Sequence, residues 1–163
     1  MGTKFSTRVW VSVVGIASIF FGSKGYADTV ISVADFGLKP DTRENAVAYV
    51  QKAIEACRGK EPVTLVFPEG RYDFWPQYAH EKNYYETNTY DVFPKRLAML
   101  FEGLHNITVD GNGSQFVMHD RIQPITVENC DGVTLKNFSI DWDIPLTAQA
   151  RVTKVGSDFF EIE

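Results

Sequence analysis

The spacing of apolar positions changes several times along this chain, and each change marks an element. Ala46, Val47, Val50, Ala53, Ile54 and Cys57 recur at helical spacing from Arg43 onward, closing near Gly59. Residues 39–42 break the chain before them, and Asp41 or Thr42 offers an N-cap. Residues 30–37 read as a short strand leading into a turn. Residues 63–67 are β-branched and apolar, the pattern of a buried strand, and Pro68-Glu69-Gly70 is a turn. Arg71-Tyr72-Asp73-Phe74 alternates as a half-buried strand does. Residues 75–96 fit no period. They carry Trp75, Tyr84, Tyr85, Tyr90 and Phe93, and a long aromatic loop of this kind serves function or covers an edge.

After Leu97 the pattern repeats. Residues 101–109 align with residues 127–135 at a shift of 26, each unit being strand, polar turn, strand. A further β segment follows each, at 115–118 and 138–142. Short strands joined by Asn, Gly and Asp turns at such a period predict a solenoid, here a right-handed parallel β-helix behind an N-terminal capping helix. Asn106, Asn129 and Asn137 fall in the turns, where Asn tolerates left-handed backbone. An antiparallel sandwich is the alternative. Residues 148–155 and 159–163 flank Gly156-Ser157-Asp158 as a β-hairpin. A solenoid needs several coils and a polar cap, so the chain is expected to be the N-terminal piece of a longer one.

The first 27 residues stand apart. Lys4 and Arg8 precede an apolar run over residues 9–22, and Gly25 and Ala27 place small residues before Asp28. That is the layout of a secretory signal peptide cleaved after Ala27, which predicts export to the periplasm or medium. A membrane anchor is the alternative, but the run is shorter than the roughly 20 residues a span needs. The expected division is therefore a leader at 1–27, a cap and first coils at 28–147, and a hairpin at 148–163.

Composition narrows the partners. Removing the leader takes Lys4, Arg8 and Lys24, leaving 13 basic residues against 21 acidic ones, so the net charge moves from -5 to -8. An acidic surface disfavours nucleic acid and anionic membranes and suits a neutral substrate. The 12 Phe, 7 Tyr and 3 Trp fill a core in the main, though rings also stack on sugars. Cys57 and Cys130 form no disulfide framework and are expected as thiols. His80, His105 and His119 are isolated from one another, so no cofactor or metal is expected.

Two sets of residues carry a family resemblance. Val33-Ala34-Asp35-Phe36-Gly37, the helix through Cys57, and Leu65-Val66-Phe67-Pro68-Glu69-Gly70-Arg71-Tyr72 resemble the opening of the pectate-lyase-like β-helix superfamily. Lys39-Pro40-Asp41 replaces the superfamily's usual Gly-Asp-Gly. The second set is residues 72–76, 107–114, 118–124 and 137–145, together with the aromatic loop. These look like glycoside hydrolase family 110, secreted α-1,3-galactosidases acting on terminal Galα1-3Gal groups. The resemblance implies inverting hydrolysis by two aspartates without a metal, and an oligosaccharide or glycoconjugate with terminal α-galactose as partner. It also implies a small antiparallel barrel inserted between coils, of which the 148–163 hairpin is the start, and catalytic aspartates beyond Glu163.

Within the chain, Asp141 and Asp143 are the candidate carboxylates. Two residues apart on a strand, they face one side at roughly 6.6 Å, compatible with the 6.5–9.5 Å of an inverting pair. Trp142 between them is a further candidate for substrate contact; it points to the core if the aspartates face outward, and the reverse arrangement would leave the aspartates as unpaired buried charges. His119 and Arg121, one coil earlier, are candidate donors to sugar hydroxyls, and Trp75 is a candidate stacking wall. Two other readings compete: a polysaccharide lyase of the wider superfamily, and a non-catalytic glycan-binding β-helix. The scarcity of basic residues in the coils argues against a uronate-cleaving lyase.

Overall fold

The computed structural model describes residues 29–84, 94–147 and 149–163. The expected leader, and Tyr85, Tyr90 and Phe93 of the aromatic loop, lie outside the described residues.

The chain is mostly β. The first sheet holds β1 (Thr29–Ser32), β2 (Val63–Val66), β3 (Arg71–Phe74), β6 (His105–Met118) and β8 (Asp131–Trp142), and all its pairings are parallel. The second sheet holds β4 (His80–Lys82), β5 (Lys95–Glu102) and β7 (Gln123–Glu128). β9 (Val152–Val155) and β10 (Phe160–Ile162) form an antiparallel hairpin.

The repeat seen in the sequence is the register in which strands pair. Phe101 lies opposite Val127 and Val109 opposite Leu135, both 26 residues apart and both parallel. Parallel pairing puts like beside like, which is why the two segments read alike. The preceding layer is offset by 44 residues, with Val63 opposite Ile107 and Asp73 opposite Val117. The antiparallel sandwich is not what forms.

Alternate residues of these strands face inward. Leu65, Phe67, Tyr72, Phe74, Phe101, Ile107, Val109, Phe116 and Met118 are fully buried. Phe116 stands at the centre of an aromatic cluster with Phe67, Tyr72, Phe74 and Phe138 at ring separations of 4.8 to 6.2 Å. Such pairs add to area burial by edge-to-face and offset contacts. Asn106, Asn129 and Asn137 have φ of 48°, 52° and 60°, the left-handed turns expected of them. Gly70 has φ 145°, and a Cβ there would lie 2.5 Å from the Pro40 Cβ.

Two details correct the sequence pattern, and one gives an expected turn its form. The helix α1 (Val47–Cys57) begins four residues later than its apolar spacing suggests. Asp41 and Arg43 sit at φ 61° and 60°, and Asp41 Oδ1 accepts the Arg71 N–H at 3.0 Å. That segment braces the turn before β3 and cannot also be helix. The N-cap is Ala46, which has no side-chain cap, and Asn45 just before it accepts the Val47 N–H on Oδ1 at 3.1 Å. Second, the turn expected after β1 is a 3₁₀ turn over residues 33–36, capped by Ser32. Third, the aromatic loop contains β4, which pairs antiparallel with β5.

Candidate functional site

Where β3, β6 and β8 lie side by side, paired residues share a face. Phe74, Met118 and Trp142 make one row on the core side; Asp73, Val117 and Asp141 make the next row on the outer side. One residue further along, at the ends of the three strands, come Trp75, His119 and Asp143. This row turns the outer face into a polar cluster.

The buried Asp73 carboxylate is its centre. Arg71 donates to it from Nη2 at 2.6 Å and from Nε at 3.0 and 3.1 Å. His119 Nε2 lies 2.8 Å from Asp73 Oδ1. Both donors reach the far side as well. Arg71 Nη2 is 3.6 Å from Asp143 Oδ1, and His119 Nδ1 is 3.6 Å from Asp143 Oδ2. Trp75 lies flat on His119, with ring centroids 3.9 Å apart and planes within 5°.

The Asp73 side chain is 0% exposed and that of Asp143 is 45% exposed, so one carboxylate anchors and the other faces solvent. A buried, unpaired carboxylate would be prohibitive. Burial pushes the Asp73 carboxyl up, but hydrogen bonds and charge from Arg71 and His119 outweigh it and hold the carboxyl below its ordinary 3.8. The same bond raises the Arg71 guanidinium.

Asn45 ties this cluster to the helix. Its Oδ1 accepts from the Trp75 N–H at 3.2 Å as well as from Val47, and its Nδ2 donates to the Gln77 carbonyl at 2.9 Å. The Ala46 N–H donates to the Asp73 carbonyl at 2.8 Å. Helix start, Trp75 and Asp73 are thus fixed to one another.

The candidates separate into three groups. Trp75, His119 and Asp143 come together. Arg121 lines an adjoining groove of about 1010 Å³ with Pro76, Arg96, Gln123 and Leu146, close to the upper end of the roughly 300–1,000 Å³ common for ligand sites. Pro76 follows Trp75 and Asp120 follows His119, so the groove starts at residues next in the chain to the cluster, although Trp75, His119 and Asp143 do not themselves line it. Asp141 stands apart. It is exposed, accepts the Trp142 N–H at 2.8 Å and makes no ion pair among the described residues. Because β8 ends at Trp142, Asp143 lies in the following bend, its N–H bonded to the Met118 carbonyl at 3.0 Å. The two aspartates are therefore not a matched pair on one strand. Trp142 is half-buried and packs against the core.

Sequence reasoning missed Arg71 and Asp73. Their alternation with Tyr72 and Phe74 marked a shared face, but nothing local signalled that Asp73 is buried beneath residues 46 positions away. Tyr84 donates its hydroxyl to Glu128. Lys82 Nζ bridges Glu128 and Glu102 at 2.9 and 2.8 Å, neutralising two acids that the parallel register sets side by side. Cys57 and Cys130 are free thiols.

No protein-family model matches the chain. It is 62% identical over 137 residues to an alpha-1,3-galactosidase B of Bacteroides thetaiotaomicron, covering 84% of this chain and 22% of that protein. It is 40% identical over 125 residues to an alpha-1,3-galactosidase A of Shewanella woodyi, covering 77% and 20%. A Phocaeicola vulgatus alpha-1,3-galactosidase B is 36% identical over 159 residues, covering 95% and 25%. The chain thus spans about a fifth to a quarter of the length of these curated relatives. All three relatives carry the names of glycosidases. More narrowly, the chain belongs to the α-1,3-galactosidase-like family, glycoside hydrolase family 110, that its motifs resemble.

Proposed function

We propose that this chain is the opening section of an exported hydrolase that removes terminal α-1,3-linked galactose from glycans with inversion of configuration. The observation that carries the reading is the 62% identity to an alpha-1,3-galactosidase B over 84% of the chain. The parallel registers at 26 residues support a right-handed β-helix as the scaffold. Val127, Leu135 and Ile140, exposed on the outer edges of β7 and β8, are the side chains a further coil would cover.

In an inverting glycosidase one carboxylic acid protonates the leaving oxygen while a carboxylate across the sugar activates water. In this reading the catalytic pair lies elsewhere in the whole protein, and the Asp73–His119–Asp143 face with its groove receives part of the glycan. The acidic chain suits a neutral sugar, which needs no electrostatic steering. The 148–163 hairpin is read as the first strands of an inserted antiparallel domain.

The test uses the full open reading frame expressed without residues 1–27, with Galα1-3Gal as substrate. Free galactose as a product supports the reading. Folded protein that leaves the disaccharide intact but cleaves a uronate polymer would replace it with a lyase. Folded protein that binds glycans and cleaves none would replace it with a binding module.

A further inference from the structure

Asp143 is exposed, yet it is not held as an ordinary surface carboxylate is. Each of its oxygens faces a different cation-capable group, Arg71 for Oδ1 and His119 for Oδ2, both at 3.6 Å. Those two groups do not rest on Asp143. They rest on Asp73, at 2.6 and 2.8 Å, and Asp73 is itself fixed through its backbone to Ala46 at the helix start. Trp75 stacked on His119 removes the ring's remaining freedom.

We propose that Arg71 and His119, seated on buried Asp73, form a clamp that presents Asp143 as the carboxylate accepting hydroxyls of a neutral sugar, with the adjoining groove receiving the rest of the glycan. This rests on the glycosidase reading for its substrate class. It assigns contact to Asp143 rather than to Asp141, and it makes Asp73, Arg71 and His119 positioning residues.

The physical argument is one of distance and order. At 3.6 Å the two donors lie slightly beyond hydrogen-bond range of Asp143. They orient its carboxylate without saturating its lone pairs. A carboxylate held in one orientation with open lone pairs receives two neighbouring hydroxyls without first giving up rotamer freedom, which is the gain from preorganisation. Among the described residues, Asp141 has no such neighbours. Its Oδ1 is turned back to the Trp142 N–H. The groove begins beside the cluster, at Pro76 and Asp120, so a sugar held on Asp143 has room to extend along it.

The experiment uses the full-length protein without its leader. KM and kcat are measured on Galα1-3Gal for wild type, Asp143→Asn, Asp141→Asn, His119→Gln and the double variant Asp143→Asn/His119→Gln. Binding of galactose is followed in parallel by saturation-transfer NMR. Asp143→Asn is expected to raise KM at least tenfold with kcat changed less, and Asp141→Asn to raise it at least fivefold less than that. His119→Gln is expected to raise KM severalfold, and the double variant to be no worse than Asp143→Asn alone, because His119 acts through Asp143. Additive losses in the double variant would make His119 merely structural and overturn the clamp. Equal losses in the two aspartate variants would overturn the assignment. Wild type that hydrolyses nothing defeats the glycosidase reading, and the NMR series then judges the clamp by itself. Sugar signals lost in Asp143→Asn and kept in Asp141→Asn support it, and wild type that binds neither galactose nor glucose overturns it.

Discussion

Asp73 shows how much one side chain depends on its surroundings. Its carboxylate is fully covered, and only the donors from Arg71 and His119 make that tolerable. Removing one partner from a buried ion pair typically costs about 3–5 kcal/mol, because the remaining charge is stranded. Asp73→Ala is therefore expected to lower unfolding stability by about that amount, read by chemical denaturation. The pH dependence follows from the depressed carboxyl. Its contribution is complete above the unfolded value of 3.8 and is lost as pH falls below that value toward the folded one. Wild type should lose melting temperature more steeply than Asp73→Asn as pH is lowered from about 5 to 3; parallel curves would contradict the depressed carboxyl. Cys57 is the opposite case. Burial pushes its thiol up to about 11, and thiol alkylation at neutral pH should label half-buried Cys130 well before Cys57.

At the scale of elements, what was legible in the sequence is what parallel pairing copies from row to row. The 26-residue shift was visible because Phe101 and Val127, Val109 and Leu135 occupy the same rows. The 44-residue shift was hidden because the aromatic loop, with β4, lengthens the connection between β3 and β6. Without it, nothing placed Asp73 beside His119. The helix start was misjudged for a related reason: Asp41 is claimed by the Arg71 N–H 30 residues away, a long-range bond that no apolar spacing records. Trp75, His119 and Asp143 stood out by residue type, but their convergence depends on the registers of three strands. Asn45 joins the helix to that site. Each side-chain hydrogen bond of this kind contributes about 0.5–1.5 kcal/mol, so Asn45→Ala should be mildly destabilising and should also increase the solvent response of Trp75 fluorescence. An unchanged Trp75 signal would show that the loop is held by other bonds.

Across the molecule, the aromatic core and the polar face are two sides of the same strands. Tyr72 and Phe74 enter the cluster around Phe116, while Arg71 and Asp73 build the outer face. Phe116→Ala, which empties the centre of that core, is expected to cost about 3–5 kcal/mol and to disturb the face as well, since both rely on the register of β3 on β6. Asp143→Asn should leave the core untouched. The core and the polar outer face are thus separable by substitution, although they share a backbone.

The most direct test of the central claim is the stereochemistry of the first product. The full open reading frame, expressed without residues 1–27, is incubated with Galα1-3Gal, and the anomeric proton of released galactose is followed by NMR from the earliest time points. The account predicts that β-galactose appears first and converts slowly to the equilibrium mixture. α-Galactose as first product, or no galactose from folded protein, would contradict it.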